Sequence, residues 1–277
     1  MKYLIIYGIK GIKSMTKTIR IGGIYFMNFY CTGDCHNHFE RFDNFYETIT
    51  TPVGMICLGD FGVNYYLNKR DKKNKDELCS KYPLITFYCV RGNHEARPQD
   101  VKGMEEIYDE NVHGMIYYEP QYPNIKYFKD FGAYQISRYK VGVIGGAYSV
   151  DKEYRLLNGW QWFPNEQLSL SEQDQCYNLF KENDFDLILT HTCPYDWRPT
   201  DLFLSFIDQS KVDSSMEDFL NNIKEITNAH WGFGHYHDDR LVRPGAIMLY
   251  HKIISLDEMM GNHMELEGFA IDPKYKE

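Results

Sequence analysis

Five short clusters of side chains have the types and spacing to hold metal ions: Asp34 with His36, Asp60, Asn93 with His94 and Glu95, His191, and His235 with His237. They offer carboxylate and amide oxygens and imidazole nitrogens, and they commit no cysteine thiolate. Mixed N/O sets of this kind suit divalent manganese, iron, zinc or nickel, and not a Cys-rich structural zinc. Asp34 and His36 stand two residues apart and can point at one ion from a loop; His235 and His237 repeat that spacing. A carboxylate such as Asp60 can bridge two cations, and Asn93 supplies a neutral carbonyl oxygen.

Each cluster follows an apolar run, and the runs are the elements that must position them. Asn28 to Thr32 leads into Gly33 and Asp34, Val53 to Leu58 into Gly59 and Asp60, Leu84 to Val90 into Gly92 and Asn93, Leu187 to Thr190 into His191, and Trp231 to Gly234 into His235. Helix-compatible stretches lie between them, over 39–49, 63–82, 166–182 and 215–228. Apolar strands alternating with helices predict a parallel sheet covered on both faces, and ligands of such sheets gather outside the carboxyl ends of the strands. Between 115 and 144 the strands follow one another closely, as in antiparallel pairing, and closing strands are expected near 246–250 and 268–271. No internal repeat or low-complexity linker divides the chain.

The ordered set resembles the calcineurin-like metallophosphoesterases, whose five blocks are D-x-H, GD, GNH followed by E or D, a lone H, and GH-x-H. All five stand here in that order between Asp34 and His237. One block alone is a weak signal; five in order, each behind an apolar run, are a strong one. The resemblance implies a four-layer α/β/β/α sandwich of two mixed β-sheets flanked by helices. It also implies that Asp34, His36 and His237 hold one divalent ion, that Asn93, His191 and His235 hold a second, and that Asp60 bridges them. His94 would stand beside the pair as proton donor or charge stabiliser for the leaving oxygen. The implied activity is phosphoester hydrolysis with a metal-bridging hydroxide as nucleophile and inversion at phosphorus. Such a centre stays net positive inside an acidic chain and would attract a phosphate locally.

The Ser/Thr protein phosphatase branch continues its second block as GD-x-x-D-R-G. Here Val63 and Asn64 occupy the places of that Asp and Arg, which counts against protein phosphatase activity, the alternative within the enzymes. Another basic residue can take the place of that grip on phosphate, since Arg suits bidentate phosphate contacts. The candidates are Arg97, just after the third block, and Arg155, in a stretch that runs on to Trp160 and Trp162. Outside the enzymes, the alternative is a metal-poor binding or scaffold module on the same fold, which the intact ligand set opposes.

The 277 residues are 43% hydrophobic, 25% charged and 16% aromatic, a globular composition able to bury a sizeable core. A net charge of −9 argues against a broad nucleic-acid surface or anionic membranes. The expected partner is a phosphoester substrate, whether small molecule, nucleotide or phosphoprotein. Residues 1–26 contain Lys2, Lys10, Lys13, Lys17 and Arg20 and no acid. With Met15 and Met27 as further possible starts, they read as a peripheral N-terminal extension before a single metallophosphoesterase domain over 27–277. Seven cysteines without a CxxC pair read as reduced, buried thiols of a cytoplasmic protein. The one N-terminal apolar run, Tyr3 to Ile9, is too short to span a membrane. The basic run at 69–75 is interspersed with acids and reads as a solvated helix face. Trp160 and Trp162 read more readily as core or rim residues than as a stacking platform.

Overall fold

The structure is a computed structural model that describes residues 20–21, 24–25, 27–261 and 266–273. The expected extension over 1–26 therefore lies largely outside the described residues. In chain order, β1 (Arg20–Ile21) and β2 (Ile24–Tyr25) pair with each other. Then come β3 (Asn28–Thr32), α1 (Arg41–Tyr46), β4 (Val53–Cys57), α2 (Lys69–Lys81), β5 (Ile85–Cys89), β6 (Glu105–Asp109), β7 (Gly114–Tyr118) and β8 (Ile125–Phe128). The chain goes on through β9 (Phe131–Ile136), β10 (Tyr139–Ile144), α3 (Lys152–Leu157), α4 (Leu170–Lys181), β11 (Leu187–Thr190), α5 (Ser215–Glu225) and β12 (His230–Phe233). It closes with β13 (Arg240–Arg243), β14 (Ala246–Met248), β15 (Ile254–Ser255), α6 (Leu256–Met259) and β16 (Ala270–Ile271).

Two seven-stranded mixed sheets result, in the orders β15-β3-β4-β5-β8-β7-β6 and β16-β13-β14-β12-β11-β10-β9. Strands β3, β4, β5 and β8 are parallel neighbours in the first, and β10, β11, β12 and β14 in the second. Antiparallel pairs fill the region from β6 to β10, with the chain changing sheets between β8 and β9. Strand β6 escapes a pattern reading because it is an edge strand of sequence EEIYD with one buried position, so it lacks the apolar run of a central strand.

The alternation of side chains across each strand builds the layers. In β4, Ile56 turns into the core that also holds Val141, Leu187, Leu189 and Ile247 of the other sheet, while Val53, Met55 and Cys57 turn outward to meet Phe42 of α1 and Leu78 of α2. In β11, Leu187 and Leu189 face inward and Ile188 faces outward, against Phe180 of α4 and Leu220 and Ile223 of α5. Helix, sheet, sheet, helix is thus the four-layer sandwich that the sequence implies. Helix α2 begins six residues later than the apolar pattern suggests, because the Asn68 side chain accepts from the Arg70 N–H and caps it there. Helix α4 starts at a capping box between Ser169 and Glu172. All seven cysteines are free, and all but Cys79 are buried. Among the described residues no helix is long and apolar enough to cross a membrane.

Candidate metal centre

The loops after β3, β4 and β5 in one sheet and after β11 and β12 in the other converge at one end of the sandwich. His36, Asp60, His235 and His237 adopt positive φ there (47°, 45°, 71° and 56°), a region that non-glycine residues seldom enter. Such strain persists where the surroundings enforce it, and it concentrates at functional sites. The glycines of the motifs are explained by close approach. A methyl group on Gly92 would overlap Oδ1 of Asp60, and one on Gly59, at φ 101°, would overlap the His191 ring.

The two carboxylates are held alike. Oδ1 of Asp34 accepts the His235 backbone N–H at 2.8 Å, and Oδ1 of Asp60 accepts that of His94 at 2.7 Å. Each second oxygen is thereby turned into the centre, where buried Oδ2 of Asp34 has no hydrogen-bond partner. Nε2 of His237 lies 3.3 Å and Nε2 of His36 3.7 Å from that oxygen, and the two imidazole nitrogens are 3.0 Å apart. Oδ2 of Asp60 is 3.8 Å from Nε2 of His36 and 3.5 Å from Nε2 of His191. His191 Nε2 in turn lies 2.9 Å from Oδ1 of Asn93. The amide of Asn93 is oriented by its Nδ2, which donates to Oγ of Ser149 at 2.9 Å. The His235 ring packs against that of His191, with centroids 4.9 Å apart.

The donor chemistry fits divalent cations. With Nδ1 of His191 2.8 Å from the Leu58 carbonyl, Nδ1 must carry a proton, and Nε2 then faces two oxygen acceptors. Only a proton or a cation reconciles those lone pairs. Burial opposes the imidazolium, but the Asp60 and Asp34 carboxylates and the hydrogen bonds outweigh it and carry the His191 pKa up to about 9. Burial and the neighbouring His191 charge push His235 down to about 3. Asp60 stays well below the ordinary carboxylate range despite its burial, because His191, His94 and His36 surround it. Three overlapping donor groups have ligand atoms within 4.8 Å of one another: Asp34, His36 and His237; Asp34, Asp60 and His191; and His36, Asp60 and His94. Every metal-ligand candidate from the sequence thus lies at this centre, and His94 lies beside it, its Nε2 3.7 Å from Oδ1 of Asp151.

The two arginines part company. Arg155 is 1% exposed and lines the cleft beside His36 and His94. Its Nη1 donates to Oγ of Ser149 at 3.1 Å, whereas Nε and Nη2 have no hydrogen-bond partner. Arg97, by contrast, meets carboxylates and carbonyls of the protein itself. Its Nε donates to the Asn165 carbonyl, Nη2 to the Gln167 carbonyl, and Nη1 meets Glu172 and Asp130, so its donors are used up within the protein. Sequence reasoning missed Ser149, Asp151 and Glu166. Ser149 joins Asn93 and Arg155, and Glu166 accepts from Ser149 and from Nε1 of Trp162. Trp162 is accordingly a support of this network. The only signal for these residues is their place in the Gly- and Trp-rich stretch around Arg155. Glu95, the last residue of the third block, accepts the Gly92 N–H at 2.9 Å and braces that loop; burial, then the Asp60 charge, raises its pKa to about 7.

A sandwich whose two sheets deliver carboxylate, amide and imidazole donors to one end is the architecture of a metal-dependent phosphoesterase. Residues 27–239 match the family model of the calcineurin-like phosphoesterases, and the chain belongs to that family. The family points to metal-dependent phosphoester hydrolysis, with divalent metals as its usual cofactors. Among solved structures, the phosphopantetheinyl hydrolase of Mycobacterium tuberculosis aligns at 11% identity over 80% of this chain and 88% of that one, with a TM-score of 0.41. No curated protein matches the sequence.

Proposed function

We propose that the centre holds two divalent ions and hydrolyses phosphoesters by direct attack of water, without a phosphoenzyme. Asp34, His36 and His237 hold one ion, Asn93, His191 and His235 the other, and Asp60 lies between them. The observation that carries this reading is the pair of buried carboxylates, each with one oxygen pinned by a backbone N–H and the other turned among imidazole nitrogens 3.3–3.8 Å away. Bound there, two such ions lower the pKa of a water and offset charge on the phosphoryl oxygens.

The remaining work falls to the chain's own residues. Arg155 grips a non-bridging phosphoryl oxygen with the Nε and Nη2 hydrogens that lack a partner in the protein. Ser149 fixes both that guanidinium and the Asn93 amide, so phosphate and metal are positioned from one hydroxyl. His94 delivers a proton to the leaving oxygen; burial lowers its pKa, and the carboxylates of Asp60 and of Asp151, the latter 3.7 Å from its Nε2, oppose that shift. Metal content of the purified chain, measured with turnover of a chromogenic phosphoester across manganese, iron, zinc, nickel and magnesium, tests the proposal. Two bound ions per chain and metal-dependent turnover are expected; absence of both metal and turnover would leave a scaffold on this fold.

A further inference from the structure

The centre lies where two clefts of different chemistry meet. One, about 440 Å³, takes in the centre itself at Asp60, Asn93, His235 and His237 and extends along a largely apolar wall of Val150, Leu202, Phe203, Leu204 and Ile207, with Arg198 and Glu217 also lining it. The other, about 640 Å³, has Tyr65, Tyr66 and Trp160 along its sides, Arg70 and Arg155 as its cations, and ends on His36 and His94. His36, His94 and Asp151 line both. Each cleft has the volume of a small-molecule site by itself. A phosphomonoester, with one organic group, would occupy one of them.

The side chains at the two mouths are unusual for solvent-facing positions. Leu204 is 53% exposed on the apolar side and Trp160 is 54% exposed on the basic side. The Arg70 guanidinium lies 3.9 Å from the Tyr66 ring centroid, which holds its charge at the rim of the second cleft. Arg155, with donors to spare, closes the inner end of that cleft. One cleft therefore suits an apolar or aromatic group. The other suits a ring-bearing group with hydroxyls or further negative charge.

We infer that the substrate is a phosphodiester with two organic arms, one in each cleft, its phosphorus held at the junction. The inference rests on the reading of the centre as a phosphoester hydrolase. In the reaction the water oxygen bonds to phosphorus while the P–O bond to one arm breaks. That arm leaves as an alcohol with one proton of the water, the other arm stays on phosphorus as a phosphomonoester, and the second proton passes to solvent.

The test uses the full chain loaded with manganese and three esters that share the p-nitrophenyl leaving group: p-nitrophenyl phosphate, methyl p-nitrophenyl phosphate and thymidine 5′-(p-nitrophenyl phosphate). The thymidine diester is expected to exceed both other esters in kcat/KM by at least about tenfold. Trp160→Ala lowers the thymidine-to-methyl ratio at least about threefold, and Leu204→Asp, in the other cleft, lowers both diesters together. Calorimetric titration of the metal-free chain with thymidine 5′-(phenyl phosphate) reads binding without turnover, and Trp160→Ala weakens it. A ratio near one, or a monoester hydrolysed as well as the thymidine diester, overturns the two-armed substrate and leaves hydrolysis standing. If no ester is turned over with any of the metals, hydrolysis falls and the titration decides: binding that depends on Trp160 supports two-arm recognition, and its absence overturns that as well.

Discussion

Two buried charged clusters in this molecule are built on opposite terms. Near Pro98, Arg91 and Arg97 meet Asp130 and Glu172, cation against anion, and the carbonyls of Asn165, Glu166 and Gln167 take up further donors. At the centre, Asp34 and Asp60 face His36, His191 and His237, one carboxylate oxygen has no hydrogen-bond partner, and two imidazole nitrogens crowd each other at 3.0 Å. The clamp matches guanidinium with carboxylate inside the protein, although Nη2 of Arg91 has no hydrogen-bond partner. The centre leaves Oδ2 of Asp34, and Arg155 beside it Nε and Nη2, without a hydrogen-bond partner. Since uncompensated buried charge is costly, two carboxylates gathered among imidazoles imply a ligand, where guanidinium paired with carboxylate implies a brace.

Asp60→Asn and Asp130→Asn test that division most severely. At the centre, removing the carboxylate proposed to lie between two ions should lower kcat/KM at least about a thousandfold, ~4 kcal/mol, and bring bound metal below two per chain, with the fold retained by circular dichroism. In the clamp, the equivalent change leaves Arg91 without its carboxylate and Arg97 with Glu172 alone, and denaturant unfolding should show a loss of about 3–4 kcal/mol while KM at low temperature stays as in the wild type. Metal loss from Asp130→Asn, or unfolding by Asp60→Asn, would erase the distinction.

A smaller effect separates the arginines. Arg155→Ala should reduce kcat/KM about a hundredfold, ~2.7 kcal/mol, chiefly through KM, because a phosphate-gripping donor is lost. Arg97→Ala should act on stability and spare KM; the reverse pattern of effects would exchange the roles of the two residues. The response to pH is read on stability alone. In the metal-free chain the His191 pKa is about 9, above the 6.5 of an unfolded imidazole. Its stabilising contribution is therefore present below pH 6.5 and is lost as pH rises through 9, by ~3 kcal/mol in denaturant titrations. Asp34 and Asp60, lowered, remain ionised throughout that window, and His235, near 3, remains neutral. Saturating metal should flatten the dependence, since the ion takes the place of the His191 proton. The clamp does not contribute, because Arg97 is raised further above it and Glu172 lies near 2.

The donors of the centre were legible in the sequence because each stands at a fixed offset behind an apolar strand, where a parallel sheet must present it. The central strands were legible for the same reason, being buried on both faces. Strand β6, polar and at an edge, was not. Nor were Ser149, Asp151 and Glu166, whose residue types are common in loops and which are tied to the site by residues far along the chain, as with Ser149 and Asn93 at a separation of 56 or Ser149 and Glu166 at 17. Arg97 and Arg155 were alike as sequence signals, since a basic residue near a motif has the same appearance whether its hydrogens are spent or spare.

Residue order alone determined the family, the sandwich and the five strand-end clusters, because motif spacing and hydrophobic alternation are local properties of the chain. Tertiary structure decided what those locally equivalent residues face. It spent Arg97 on Asp130 and Glu172, left two nitrogens of Arg155 unsatisfied beside His94, and opened an apolar cleft and a basic, aromatic one on the same pair of histidines. Hydrogen-bond saturation and the shape of a cleft depend on atoms brought together from distant parts of the chain, and only folding sets those distances.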